Sequence, residues 1–317
     1  MFLGIEIGGT KLQLGLGAGD GVIVKLWRGA VDPAQGGEGI RRQILAAFPE
    51  LLASAGVSKS DLKGIGVGFG GPTDDDTQTV ITSHQIVGWD GFPLAAWLTD
   101  LLGLPTVICN DADVAGLAEA LFGAGKGLSP IFYITVGTGI GGGLIINGEI
   151  YRGVGRGAAE IGHVRPVYPA DPLRYCSTVE KIASGTGMAQ GLSVAESHGF
   201  DTTAIRGYAG SDPVAGIHVA TAVEQEDDTA ALFIVDQGAE AIAEGICSVI
   251  ALLCPRRVVI GGGVSMMGTS WFWSINRYVA ERGFPPFAGL TDIVPAALGE
   301  EVVVHGALAL ARKKLGG

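Results

Sequence analysis

Apolar residues fall in two alternating patterns along this chain, short unbroken runs and stripes at helical spacing, with glycine-rich turns between them. Residues 2–7 form a β-type run that ends at Gly8-Gly9-Thr10-Lys11, and 12–16 form a second one. A third extended stretch, 22–27, completes a predicted meander. Residues 39–55 carry Ile40, Ile44, Leu45, Phe48, Leu51 and Leu52 at helical spacing and stop at Gly56, as a glycine-capped helix does. Residues 65–69 read as a buried strand running into Gly70-Gly71-Pro72, 94–102 as a short amphipathic helix, and 106–109 as another buried strand. That last strand delivers Asn110, Asp111, Ala112 and Asp113 to a helix predicted over 114–122.

The second half repeats the plan. An apolar run, 131–136, feeds a turn of glycines and one threonine, and a second run, 144–146, leaves it. Gly137, Gly139 and Gly142 satisfy G-x-G-x-x-G, but that fingerprint carries meaning only when a helix follows the turn. Here β-formers follow, bounded by Asn147-Gly148, so a hairpin is predicted. Helices are predicted over 179–183, 186–196 and 231–253, then a strand over 257–260 running into Gly261-Gly262-Gly263. A strand over 302–304 and a helix over 307–314 close the chain. Each half thus starts with a strand–glycine turn–strand hairpin and alternates helices with buried strands, which predicts two related α/β domains facing a cleft. The expected division is 1–113 for the first domain and 114–304 for the larger second, with a helix over about 305–317 packing back on the first.

Composition narrows the class. A chain of 317 residues exceeds what one core usually supports, and 47% hydrophobic with 17% charged residues excludes a disordered polymer. The 53 glycines follow no collagen period and belong in turns and close backbone approaches. A net charge of −11 without a dense Lys/Arg cluster argues against a nucleic-acid partner. Four scattered cysteines read as reduced thiols. No uncharged apolar run reaches membrane-spanning length and no basic leader precedes the first strand, so a cytoplasmic protein with no membrane partner is expected.

Three features carry candidate chemistry. A glycine turn with bare amides and a Thr hydroxyl can wrap a phosphate, or it can be an ordinary tight turn. Its recurrence in both halves suggests two turns offered to one phosphate chain. Asp111 stands where open α/β sheets place ligands, a position that equally suits a helix N-cap. Glu160 and His163 are three apart and share a face if that segment is helical.

The ordered set of motifs resembles the ROK family of sugar kinases, repressors and related proteins, within the actin/hexokinase/Hsp70 ATPase fold. The residues that carry it are Gly4-Ile-Glu-Ile-Gly-Gly-Thr-Lys11, Gly66-Val-Gly-Phe-Gly-Gly-Pro72, Asn110-Asp-Ala-Asp113, Gly137-Thr-Gly-Ile-Gly-Gly-Gly143, Glu160-Ile-Gly-His163, Gly261-Gly-Gly-Val-Ser265 and Gly306-Ala307. The resemblance implies two ribonuclease H-like α/β domains flanking an ATP/sugar cleft, and a hexokinase-type phosphotransferase acting on glucose or a related hexose or N-acetylhexosamine. By the same resemblance Gly8, Gly9, Thr10, Lys11, Gly137, Thr138 and Gly139 would hold the ATP phosphates, and Gly261, Gly262 and Gly263 would lie near the adenosine. Gly71, Asn110, Glu160, His163 and Glu180 would bind the sugar, and Asp111 would be the catalytic base. A homodimer is implied as well. A sugar-binding sensor of the same family is the alternative, although repressor members carry an N-terminal helix-turn-helix that is not seen ahead of the first hairpin.

Two departures bear on metals. The first motif usually has Asp where this chain has Glu6, a carboxylate that would help hold Mg²⁺ through water. Many members also carry a zinc knuckle whose cysteine positions fall here on Asp171, Leu173 and Thr178, with only Cys176 nearby. A thiolate-rich tetrahedral site cannot be assembled from those residues, so no structural zinc is expected and His163 would be free for sugar or a loop carbonyl. Two smaller changes, Gln85 before Gly88-Trp89 and Asp113 in place of a common Asn, face the sugar side of the pattern.

Overall fold

A computed structural model describes residues 1–83, 85–166 and 177–316. The strands and helices in chain order are β1 (Phe2–Ile7), β2 (Lys11–Gly17), β3 (Ile23–Ala30), α1 (Gly36–Ala55), β4 (Ile65–Phe69), β5 (Thr73–Asp74), β6 (Thr79–Val80), α2 (Leu94–Leu102), β7 (Thr106–Asn110) and α3 (Asp111–Phe122). They continue with β8 (Ile131–Val136), β9 (Ile140–Ile146), β10 (Glu149–Ile150), α4 (Val179–Ala183), α5 (Gly185–Ser197), α6 (Thr203–Ala209), α7 (Gly216–Glu226) and α8 (Thr229–Leu253). The last are β11 (Arg257–Gly261), α9 (Thr269–Arg282), β12 (Asp292–Pro295) and α10 (Val302–Leu315).

Two five-stranded sheets share one strand order. The first runs β3-β2-β1-β4-β7 and the second β10-β9-β8-β11-β12. In each, an initial meander is extended by later strands on the far side of its first strand. Pairing is antiparallel between β1 and β2 and parallel from β1 to β4 to β7. The duplicated plan read from the glycine hairpins is therefore present in the topology.

The chain forms two compact units. Unit 1 comprises Met1–Tyr133, Gly143–Ala158 and Ala297–Gly317, and unit 2 comprises Ile134–Gly142 and Ala159–Ala296. The division thus falls beyond α3 rather than at residue 113, because α3 packs on β4 and α10. Glu119, fully buried on α3, reinforces this arrangement. Its Oε1 accepts from the amides of Ala297 and Leu298 at 2.9 Å each, and its Oε2 accepts from Ala124 N at 2.7 Å.

The core of unit 1 lies between the sheet and α1, where Leu3, Ile5, Leu12, Leu14, Ile40, Ile44 and Val67 are fully or almost fully buried. The opposite face of the sheet is built for close approach. Gly15, Gly4 and Gly66 sit side by side in register across β2, β1 and β4. A β-carbon at Gly66 would come within 1.9 Å of the Ala307 carbonyl oxygen, and one at Gly4 within 2.9 Å of Leu308 Cγ. This strip of bare backbone lets α10 lie directly on the sheet.

The same packing corrects one expectation. Residues 302–304 are the first turn of α10, not a strand, and the last strand is β12. Three consecutive valines favour a strand locally, but here Val304 is buried against the glycine strip, and tertiary packing overrides that preference. In unit 2, the long helix α8 packs against α4, α5, α7 and α9. Among the described residues, no helix is long and apolar enough to cross a membrane.

Candidate active site

In unit 1 the site begins at the β1–β2 turn. Gly8 N donates to Lys11 O at 3.0 Å and closes the hairpin, leaving Thr10 exposed at its tip. Gln85 lies against this turn, since a β-carbon at Gly9 would fall 1.6 Å from Gln85 Oε1. Glu6, two residues before the turn, is 5% exposed. Its Oε1 pairs with Lys11 Nζ at 3.1 Å, and Lys11 Nζ also donates to Glu300 O at 3.1 Å. Glu6 Oε2 is buried without a hydrogen-bond partner. Burial pushes the Glu6 carboxyl up to about 7, against the charge and hydrogen bond of Lys11, and the charges of Asp111 and Glu300 push the same way.

The parallel strands β4 and β7 end beside this turn, with Phe69 opposite Asn110. Gly70 N donates to Ile7 O at 2.8 Å, which ties the β4 end to the β1 end. A β-carbon at Gly70 would lie 3.5 Å from Asp111 Oδ2 and 3.6 Å from Gly8 Cα. Gly70 therefore lies between the Asp111 carboxylate and the first glycine turn.

Asn110, not Asp111, caps α3. Its Oδ1 accepts from Ala112 N at 2.9 Å and Asp113 N at 3.3 Å, and its Nδ2 donates to Gly71 O at 3.1 Å. The residue types left the capping role of Asp111 open, and the geometry assigns it to Asn110. Asp111 begins the helix and also accepts from Ala112 N at 2.8 Å through its Oδ1.

Unit 2 holds the other turn. Gly137 N donates to Gly139 O at 2.9 Å across the β8–β9 tip. The start of α5 is pinned to this tip, with Gly185 N donating to Gly137 O at 2.8 Å and Thr186 Oγ1 to Thr138 O at 2.9 Å. Glu180 Oε2 accepts from Ile140 N at 2.8 Å. Behind the tip, Gly262 has φ +88°, and a β-carbon there would come 2.5 Å from Val136 O. Only glycine tolerates both the left-handed backbone and that approach. Gly262 therefore lies at the end of β8, beside the turn, with Gly261 and Gly263 flanking it in the chain.

Glu160 and His163 share one 3-10 turn over Ile161–His163, with His163 N donating to Glu160 O at 3.1 Å. Both are exposed, so His163 is not a buried core histidine. Gly162 between them packs on Ile140, where a β-carbon would fall 2.3 Å from the carbonyl oxygen. Of the residues aligned with the zinc knuckle, Asp171, Leu173 and Cys176 lie outside the described residues. Among those described, no group of three or more His, Cys, Asp or Glu side chains is placed to hold a metal.

One residue at this site escaped the sequence reading. Arg152, in unit 1, binds Asp113, Asp75 and Thr73. Its partner Asp113 is a carboxylate at a buried helix position, which needs either a cation or several donors nearby, but no local pattern in the sequence points to Arg152 itself.

The ROK family model matches residues 2–314. The chain is 32% identical over 308 residues to a glucokinase of Halalkalibacterium halodurans, covering 96% of this chain and 93% of that protein. It is 30% identical over 318 residues to a glucokinase of Thermotoga maritima, covering 99% and 98%. The crystal structure of a ROK family glucokinase from Streptomyces griseus in complex with glucose and AMPPNP superposes with a TM-score of 0.80 at 30% identity, covering 98% of this chain and 99% of that one.

Proposed function

The chain belongs to the ROK family, and we propose that it is an ATP-dependent kinase transferring the γ-phosphoryl group to a hydroxyl, the 6-hydroxyl, of glucose or a closely related hexose or N-acetylhexosamine. The observation that carries the mechanism is the place of Asp111. It opens α3 beside Gly70 and Gly8, and Asn110 takes over the capping that would otherwise occupy it. A carboxylate so held accepts the proton of the attacking hydroxyl as the bond to phosphorus forms, an effect of ~10²–10⁴-fold in general-base catalysis.

Phosphoryl transfer relies mainly on positioning and on neutralising phosphate charge. The turns at residues 8–10 and at Gly137, Thr138 and Gly139 supply the amides of Gly9, Thr10, Thr138 and Gly139 and two Thr hydroxyls for the phosphates, and residues 261–263 flank the adenosine. Asn110, Gly71, Glu160 and His163 bind sugar hydroxyls. Glu180 holds the second turn through Ile140 N as well as facing the sugar. The unpartnered, buried Oε2 of Glu6 suits a hydrated Mg²⁺. Glu6 would hold that ion, which when bound neutralises phosphate charge.

The glucokinase relatives and the glucose–AMPPNP complex support this reading. We also propose a cytoplasmic homodimer, supported by apolar residues left exposed on unit 2 such as Leu252 and Trp273. Light scattering on the pure protein gives the stoichiometry. The deciding experiment is a coupled ADP-release screen across hexoses and N-acyl hexosamines, with calorimetric binding alongside. Turnover identifies the substrate. Sugar binding without turnover moves the protein to the sensor class.

A further inference from the structure

Arg152 takes no part in the chemistry just described, yet it makes six side-chain hydrogen bonds. Its Nε donates to Asp75 Oδ1 at 3.1 Å and Oδ2 at 3.0 Å, and its Nη2 to Asp75 Oδ1 at 2.9 Å. The same Nη2 donates to the Thr73 carbonyl oxygen at 3.0 Å and hydroxyl at 3.2 Å, while Nη1 pairs with Asp113 Oδ2. Arg152 and Asp113 are largely shielded, with side-chain exposures of 11% and 2%, and Thr73 is fully buried, while Asp75 is 30% exposed. Burial opposes the charge on Arg152, but the hydrogen bonds and charges of its carboxylate partners outweigh it and hold the guanidinium protonated. Asp75 N donates to Gly155 O at 2.9 Å, and Arg156 pairs with Asp74 at 3.1 Å. The loop after β10 is thereby fastened to β5 and the turn that follows it.

The placement of these contacts matters more than their number. Thr73 follows Gly70 and Gly71 at the C-terminal end of β4, and Asp113 lies in the first turn of α3, two residues after Asp111. These strand ends are bridged a first time by Asn110 Nδ2 on Gly71 O. Arg152 bridges them a second time, and Asp111 sits in the chain between the two bridges. A buried ion pair is poor evidence for a stabilising role, since apolar replacements are often as stable. A planar fork that satisfies two carboxylates and a carbonyl at fixed angles is, by contrast, a geometric device.

We infer that Arg152 is a positioning residue for phosphoryl transfer, locking the first turn of α3 to the Gly70–Thr73 segment so that the Asp111 carboxylate stays beside the first glycine turn. The inference rests on the reading of Asp111 as the base. Misplacement of a reacting group by about 1 Å costs on the order of 10²-fold in rate. A loosened turn should therefore appear in kcat, while the donor turns, built from other segments, keep their affinity.

The test compares the wild type with Arg152→Lys, which keeps the charge and loses the fork, and Arg152→Met, which loses both. In Arg152→Lys we expect kcat for the best hexose to fall about tenfold or more, with KM for ATP within about twofold. Arg152→Met should fall further where it folds. Amide hydrogen exchange supplies a second measurement that does not need turnover. The Ala112 and Asp113 amides should exchange at least about tenfold faster in Arg152→Lys, with β1 and β2 unchanged. Wild-type kcat in both variants, or unchanged protection at Ala112 and Asp113, overturns the inference. If the wild type phosphorylates no hexose, the kinase reading fails on that result, and the exchange comparison alone decides the role of Arg152.

Discussion

Glu180 Oε2 accepts a hydrogen bond from Ile140 N at 2.8 Å, which fastens α4 to the residue that leaves the second glycine turn. A β-carbon at Gly139 would fall 2.7 Å from the same oxygen, so the carboxylate lies directly on the turn. In the motif pattern Glu180 is a sugar ligand. Its contact here lies with the segment proposed to hold phosphate, so we propose that one side chain serves both substrates.

Glu180→Ala should accordingly raise KM for ATP as well as for sugar, by about tenfold, the cost of one charge-assisted hydrogen bond of about 1.5 kcal/mol. Glu180→Gln keeps an acceptor oxygen and should recover most of the ATP effect. Steady-state kinetics with both substrates varied decides the matter. A rise in sugar KM alone would confine Glu180 to the sugar.

Asp111→Asn should lower kcat by ~10²-fold or more with sugar affinity retained. The substitution is structurally mild because Asn110 carries the cap and an Asn oxygen at 111 can still accept from Ala112 N. Single-turnover kinetics and calorimetric sugar binding on the same preparation separate the two effects. Near-normal turnover would remove Asp111 from its role as base.

Gly66→Ala tests how α10 is seated. A β-carbon there would come within 1.9 Å of the Ala307 carbonyl oxygen, which belongs to helix backbone. The helix must lift from the sheet, at a cost of about 2–3 kcal/mol or more for overpacking, and Tm should fall by about 2–4 °C for each kcal/mol. An unchanged Tm would mean that α10 does not lie on the strip in solution.

Legibility in the sequence tracked how local the cause was. Both hairpins were readable because strand, glycine turn and strand are consecutive, and the place of Asp111 at a strand–helix junction was readable because β7 and α3 abut. The first turn of α10 was not, since Val303 and Val304 pack against glycines on β1, β2 and β4 that are distant in the chain. Arg152 was invisible for the same reason, with partners 39 and 77 residues away. The cap at Asn110 was a near miss, because Asn and Asp are equivalent caps by type and only geometry distinguishes adjacent ones.

Glu6 gives the pH prediction. Its carboxyl is raised from 4.5 to about 7 in the folded protein, chiefly by burial. Between those values the native state binds the extra proton, so stability falls as pH rises. The contribution of Glu6 is complete below about pH 4.5 and is lost as pH passes through about 7. Glu6→Gln mimics the protonated form and should gain in Tm relative to wild type between pH 5 and pH 8, both measured without nucleotide. A Tm gap that does not change with pH would show that the Glu6 carboxyl is not shifted. Glu6→Asp, a shorter carboxylate on the same strand, should change the Mg²⁺ concentration that half-saturates turnover. No change in kcat or in Mg²⁺ dependence would remove Glu6 from the metal, and its carboxylate would then serve Lys11 alone, through Oε1.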